Sequence, residues 1–233
     1  MQEAYRRRYS RDWASRLSRA LQPPAPYVMN PAEPAHFPLG RWNLYVGGAG
    51  ARPEGYVNLD LFPLPGVDVA ADAGCLPFRS GVFQSIECDA VLEHVRCPEG
   101  VVRELTRVLA PGGHLHVVTP FCHPFHAYPD DYRRFTPGGL KLIMPDELET
   151  VAEGWRTGPT ATLLVFVLEY TKLWFPWRAW RVLVHGVLGW ILFPFRYLDL
   201  IFFRSPRAGV IGNHYYFWLR KKQDAEIITR PSP

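Results

Sequence analysis

The chain has 233 residues, 48% apolar and 21% charged, so it can bury a core of its own and is expected to form one main domain with additions. Its net charge of +4 sits in residues 1–20, where Arg6, Arg7, Arg8, Arg11, Arg16 and Arg19 meet Glu3 and Asp12, and the balanced remainder excludes a globally basic nucleic-acid binder. Cys75, Cys88, Cys97 and Cys122 show no CxxC or Cys/His ligand spacing, and no apolar run follows the N-terminal arginines; no metal site is expected, and the expected compartment is the reducing cytoplasm.

Residues 3–21 are predicted to be helical: Tyr5, Tyr9, Trp13, Leu17 and Leu21 recur every four residues and form one apolar stripe. With the arginines on the other faces, this basic amphipathic helix (1–21) suits a membrane surface or packing on the protein's own body. Residues 22–40 carry Pro23, Pro24, Pro26, Pro31, Pro34 and Pro38 and read as a stiff linker. A core region, 41–161, follows with an α/β pattern. Asn43–Val46, Tyr56–Leu59, Val67–Ala71, Val82–Cys88 and His114–Thr119 read as strands, and residues 99–109 as a helix that Pro111-Gly112-Gly113 stops. Parallel strands with helical crossovers are the expected arrangement. The nine residues between Val46 and Tyr56 are short for a parallel crossover. A further helix is predicted over 136–152, with Thr136 as N-cap and Pro137 at the first helical position.

The composition then changes. Residues 162–208 hold twelve aromatics, among them Trp174, Trp177, Trp180 and Trp190, with Lys172 and five arginines. Arg181 and Arg196 bracket the apolar run Val182–Phe195, whose fourteen residues would span about 21 Å as a helix, short of the ~30 Å bilayer core. Trp and Arg together suit the headgroup region, so monotopic membrane contact is expected, with a buried lid or a dimer contact as the alternative. Residues 209–223 are expected to close the core with a strand at His214–Leu219, and 224–233 form a polar tail.

Val46-Gly47-Gly48-Ala49-Gly50 places a Gly-x-Gly turn behind the first strand, where a side chain would block a ligand approaching the backbone. Asp60 ends the next strand, placed to accept from ribose hydroxyls. A dinucleotide-binding oxidoreductase fits poorly: the third glycine of GxGxxG would fall at Pro53, and the acid follows Gly50 by ten residues rather than roughly twenty. Three further segments follow in order: Ala71-Asp72-Ala73-Gly74-Cys75-Leu76-Pro77-Phe78, Cys88-Asp89-Ala90-Val91-Leu92-Glu93-His94-Val95 and Leu109-Ala110-Pro111-Gly112-Gly113-His114-Leu115. On these motifs residues 43–143 resemble the class I S-adenosylmethionine-dependent methyltransferases, closest to the bacterial branch with GxG, NxD, ADxxxLPF, VLEHV and LxPGG. The resemblance implies a Rossmann-like α/β fold with a seven-stranded, mostly parallel sheet and an antiparallel last strand; the aromatic segment is an insertion into it. It also implies S-adenosyl-L-methionine as cofactor. Gly48 and Gly50 would frame its methionine part, Asp60 the ribose diol and Asp72 the adenine amino group, with the Ala73 backbone beside it and the Cys88 backbone in contact. Val46 and Ala49 stand where the family often has an acid or Asn, and Cys.

The run Pro120–Thr136 follows the fifth strand, at the sheet end where open α/β folds bind ligands. Similar His…PxDYxRFT runs are frequent in that branch. If the acceptor is a hydroxyl, a base must take its proton; His126 is the first candidate, His94 the second and Asp131 the third. Asp131 and Arg134, three apart, also read as a structural pair, and His94 as a helix-terminal group. His123, Tyr132 and Arg134 are the candidate substrate-binding residues. The expected activity is methyl transfer, as an O-methyltransferase, to a lipid-linked sugar, isoprenoid or other amphiphile at the inner face of the membrane, contacted through 162–208 and 1–21. A non-catalytic binding protein of the same fold, or a nucleic-acid methyltransferase using the arginine arm, are the other readings.

Overall fold

The apolar runs from residue 43 onward assemble into one sheet. The computed structural model describes residues 22–34, 39–49 and 54–223, so the helix expected over 3–21, the tail and Gly50 lie outside the described residues. The strands are β1 (Asn43–Val46), β2 (Val57–Asp60), β3 (Val69–Ala70), β4 (Phe83–Asp89), β5 (Leu109–Pro120), β6 (Leu148–Thr157) and β7 (His214–Lys221). Their order is β3-β2-β1-β4-β5-β7-β6. The first five pair in parallel, and β7 runs antiparallel to both β5 and β6. The helices are α1 (Pro98–Val108), α2 (Pro137–Leu142), α3 (Pro159–Lys172), α4 (Arg178–Leu192) and α5 (Asp199–Phe202).

Two predicted elements differ from the structure. The helix expected over 136–152 ends at Leu142. Thr136 caps it, its hydroxyl accepting from the Gly139 N–H at 3.0 Å, but Gly138-Gly139 weaken the turn and Pro145 lacks the donor a longer helix needs. Leu148–Thr157 instead forms the edge strand β6, paired with β7 along its length apart from register shifts at Val151 and Arg156. Pro111-Gly112-Gly113 does not separate helix from strand: β5 begins at Leu109, and residues 110–113 loop out between the Phe83–Leu109 and Ser85–His114 pairs. That is a bulge, with Gly112 at φ 76°.

One sheet face carries the main core, where Leu44, Ile86, Leu115, Val117 and Phe217 meet Val101, Val102, Leu105 and Val108 of α1. Leu105 has no exposed surface, and truncating such a leucine to alanine typically costs about 2–5 kcal/mol. On the other face Val118, Tyr216 and Trp218 cluster, and His116 lies between Glu87 (2.6 Å) and Glu33 (3.1 Å). Glu33 belongs to the proline-rich segment, which is therefore docked rather than a free tether. Asn30 adds two bonds to the β6 end, its N–H to the Arg156 carbonyl and its side-chain amide to the Trp155 carbonyl, both 2.8 Å. At its other end Pro23 fills the space a side chain at Gly189 would need, and the Ala25 carbonyl accepts from Arg196 at 3.1 Å. Residue 22 thus emerges beside α4.

Residues 158–213 separate β6 from β7. The insertion boundary expected at 162 falls inside α3, whose first turns carry the buried Ala161 and Leu164. Trp180–Phe202, 23 residues, is long and apolar enough to cross a membrane by length and composition, which exceeds the fourteen-residue apolar run read from sequence. Within it Asp199 is fully buried against the body of the protein: its carboxylate accepts from the N–H groups of Thr160 (2.7 Å) and Ala161 (3.0 Å). Gly158, the N-cap of α3, has no side chain to cap with, and a Cβ there would come within 2.5 Å of Asp199.

Candidate active site

The sheet reverses direction of growth at β1, which has β2 on one side and β4 on the other. Ligands of open α/β sheets bind at the carboxyl ends beside such a switch point. There Val46 lies opposite Cys88. Behind Val46 the chain turns through Gly47 (φ 77°), Gly48 and Ala49 (φ 48°). Sequence reasoning passed over Gly47, yet it has the stronger demand. Its φ is in the left-handed region, and a Cβ would sit 2.4 Å from Val91 Cγ2 across the switch point. Gly48 lacks a side chain because Asn58 lies beneath it: a Cβ would be 2.1 Å from Asn58 Oδ1. Asn58 is fully buried and donates to the Gly66 carbonyl at 2.8 Å and the Ala49 carbonyl at 3.3 Å, so it ties the turn to the β2–β3 loop.

Asp60 is buried at the carboxyl end of β2. Its Oδ2 accepts from the Ala49 N–H at 2.9 Å and its Oδ1 from the Phe62 N–H at 3.0 Å. The acid is thus fixed against the glycine turn by the backbone. Asp72 is exposed after β3, with its Oδ1 accepting from the Gly74 N–H at 2.7 Å; Ala73 beside it is buried. Cys88 has no exposed surface, and burial pushes its thiol far up, which leaves its backbone as the part able to meet a ligand. A glycine turn, a buried acid beside it and an acid after the next strand make a donor and acceptor set that fits a nucleoside carrying a charged tail. A separate cleft of about 460 Å³, lined by Arg41, Trp42, Asn43 and Tyr56 among others, opens at the amino ends of β1 and β2, the wrong edge for this chemistry.

The loop after β5 brings the second group of candidates together. His94, His126, His123 and His214 form a row, with successive ring centroids 4.9, 4.6 and 5.2 Å apart. His126 Nε2 and His94 Nε2 each lie 3.6 Å from Glu93 Oε1. Glu93 raises the His126 pKa, outweighing partial burial. His123 is lowered, chiefly by burial, and His214 is lowered to about 3, again by burial, with His123 adding to it. The row thus holds groups pushed in opposite directions within a few ångströms.

The remaining candidates build the loop. Asp131 and Arg134 form a bidentate pair (2.5 and 2.7 Å), and that guanidinium lowers the Asp131 carboxyl to about 2. A carboxylate held this low is a poor proton acceptor near neutrality, so the structural pairing fits Asp131 better than the role of base. Arg134 also donates to the carbonyls of His123 (3.0 Å) and Pro124 (2.7 Å), which makes it the brace of the loop rather than an open anion contact. Tyr132 is exposed; its hydroxyl donates to Asp130 Oδ2 at 2.9 Å and accepts from Arg96 Nε at 3.1 Å. His126 turns its Nε2 toward Glu93 Oε1, at 3.6 Å. Glu93 itself was read only as part of a motif; nothing in the one-dimensional spacing sets it against His126.

Residues 57–117 match a family described as a methyltransferase domain. Over 194 residues, 77% of this chain and 81% of the relative, the chain is 28% identical to the demethylmenaquinone methyltransferase of Streptomyces avermitilis. Over 128 residues, 52% of this chain and 55% of the relative, it is 32% identical to that of Mycolicibacterium vanbaalenii. The chain spans about half the length of that relative and of the similar mycobacterial ones. Among solved structures the [4+2]-cyclase SpnF superposes with a TM-score of 0.51 at 16% identity, covering 89% of this chain and 80% of that one. The last likeness carries the fold and not the reaction. The sheet order, the turn at the switch point and the matched segment agree: residues 57–117 carry a methyltransferase domain, set in the Rossmann-like fold of class I S-adenosylmethionine-dependent methyltransferases.

Proposed function

We propose that this protein methylates an oxygen of an amphiphilic acceptor, such as a lipid-linked sugar, an isoprenoid or a quinone-like lipid, at the cytoplasmic face of a membrane. The observation that carries this reading is the junction between the histidine loop and the apolar insertion. Thr162, in the first turns of α3, donates to the Ile211 carbonyl at 2.7 Å and sits 3.4 Å from the Cys122 carbonyl, to which Asn213 donates at 2.7 Å. The insertion is rooted on the loop that holds the candidate acceptor side. From that root it exposes Leu173, Trp174, Trp177, Trp180, Trp190 and Ile201, far beyond the scattered apolar residues of an ordinary surface. The docked segment 22–34 lies against α4 at Pro23 and Ala25, on the same side. Asp199, buried on the body of the protein, favours helices lying on a membrane over one that crosses it. The names of the relatives, which specify a lipid quinone, agree with an amphiphilic acceptor.

S-adenosylmethionine supplies an electrophilic methyl group in this chemistry. The chain must hold the cofactor, align the acceptor oxygen, exclude water and take one proton. The glycine turn with Asp60 and Asp72 does the first. For the proton, His123 replaces His126 as the imidazole of choice. Its Nδ1 donates to the Pro124 carbonyl at 2.9 Å, which puts the lone pair on Nε2, and its lowered pKa keeps it neutral near pH 7.

Flotation with phospholipid vesicles tests the membrane part. The intact chain should float, and a Leu173→Glu/Trp174→Glu/Trp177→Glu variant should stay at the bottom. Deleting 162–208 is a poorer test, because it removes buried residues of α3. Failure of the intact chain to float would overturn the reading.

A further inference from the structure

Glu93 has no exposed surface, and neither of its carboxylate oxygens has a hydrogen-bond partner among the described residues. A buried carboxylate is costly unless something pairs with it. What faces it is two imidazoles. His94 Nε2 and His126 Nε2 both stand 3.6 Å from Oε1, too far for a hydrogen bond.

The tautomers sharpen this. His94 Nδ1 lies 2.5 Å from the Asp130 carbonyl oxygen, an acceptor, so the proton is on Nδ1 and the lone pair on Nε2. His126 Nδ1 lies 3.1 Å from the Pro124 carbonyl and 3.5 Å from Asp131 Oδ2, both acceptors. Arg134 Nη2 is 3.3 Å away, but its two protons already go to Pro124 and Asp131 at 2.7 Å each. In the neutral ring His126 Nε2 therefore also carries a lone pair. Three acceptors converge, all within 4.8 Å of one another, and no donor is among them. A proton on one imidazole would pair it with Glu93 and still leave the other lone pair facing the carboxylate. A cation satisfies all three.

We propose that Glu93, His94 and His126 form a binding site for a divalent cation of the Zn²⁺ class. Two imidazoles and one carboxylate are a common ligand set for such ions. Bonds of about 2.0–2.1 Å in tetrahedral geometry set ligand atoms about 3.3 Å apart. The two contacts at 3.6 Å need to close by a few tenths of an ångström, and the two histidine nitrogens, within 4.8 Å of each other, by up to about 1.5 Å. Each histidine is oriented from behind by a backbone carbonyl, the arrangement that steadies metal-binding imidazoles. Glu93 and His94 share one short 3-10 turn after β4, and the Arg134–Asp131 brace holds the loop carrying His126. Three protein ligands leave a coordination position open for water or an acceptor oxygen; that use rests on the methyl-transfer reading, while the site itself does not.

The test is calorimetric titration of the tag-free, chelator-treated full chain with Zn²⁺ alone, without cofactor or acceptor, repeated with Co²⁺ by visible absorption. Wild type should bind one equivalent with a Kd in the micromolar range or below. Glu93→Gln and His126→Gln should each weaken binding at least a hundredfold, and His185→Gln, remote on α4, should not. His126 is partly exposed, so its variant is expected to fold even if the buried Glu93 change does not. Less than one equivalent bound by wild type, or unchanged binding by His126→Gln, would overturn the proposal.

Discussion

Asp199 offers the sharpest test of how the insertion is held. Its carboxylate has no exposed surface and accepts the Thr160 and Ala161 N–H groups at 2.7 and 3.0 Å, the open donors of the first turn of α3. It acts as an N-cap supplied from forty residues away, and its charge also suits the helix N-terminus. Hydrogen bonds to a charged group contribute about 1.5–3 kcal/mol each, and a buried donor left without an acceptor costs about 1–3 kcal/mol. Asp199→Ala removes both acceptors, so a loss of about 3 kcal/mol is expected. Asp199→Asn keeps one oxygen and should lose about half as much. With a urea dependence of about 2–3 kcal/mol per molar, the alanine variant should unfold at a midpoint about 1 M lower. Amide exchange should accelerate most at residues 159–164. An alanine variant within about 0.5 kcal/mol of wild type would show that the carboxylate is not what fastens the insertion, and the account of its root would fall.

Two other outcomes follow from single contacts. Gly48→Ala drives a Cβ to 2.1 Å from Asn58 Oδ1, so stability should drop by about 1–3 kcal/mol in thermal or urea unfolding, with weaker cofactor binding because the turn must shift. His214 is held neutral in the fold by burial, with its pKa lowered from 6.5 to about 3. The unfolded chain takes up that proton first, so the contribution is fully present above pH 6.5 and is lost as pH falls toward 3. The unfolding midpoint should decline between pH 7 and 4.5 by an amount equal to a few kcal/mol, and His214→Gln should flatten part of that decline.

Much of the core was legible because its signals are local. β1, β4 and α1 follow from short apolar runs and a 3.6-residue period, and the acids at 60 and 72 sit where strand ends put them. β6 was misread because an edge strand buries little: Val151 and Glu153 face outward, and Thr136-Pro137 signalled a true helix start without saying where that helix ends. Gly47 was overlooked because its partner, Val91, comes from the turn after β4, across the switch point. Glu33, Asp199 and the Glu93–His126 approach share that reason. Each joins residues 30 or more apart, and no periodic pattern in the chain encodes the meeting.

The measurement that bears most directly on the whole account is calorimetric titration of the full chain with S-adenosylmethionine and with its demethylated product, beside Asp60→Asn. Asp60 is fixed by the Ala49 and Phe62 N–H groups at the lip of the glycine turn, so its replacement should act on the ligand site first. Micromolar binding of both compounds, weakened at least tenfold in a variant that remains folded, is the expected result. No binding by well-folded wild-type protein would contradict the account.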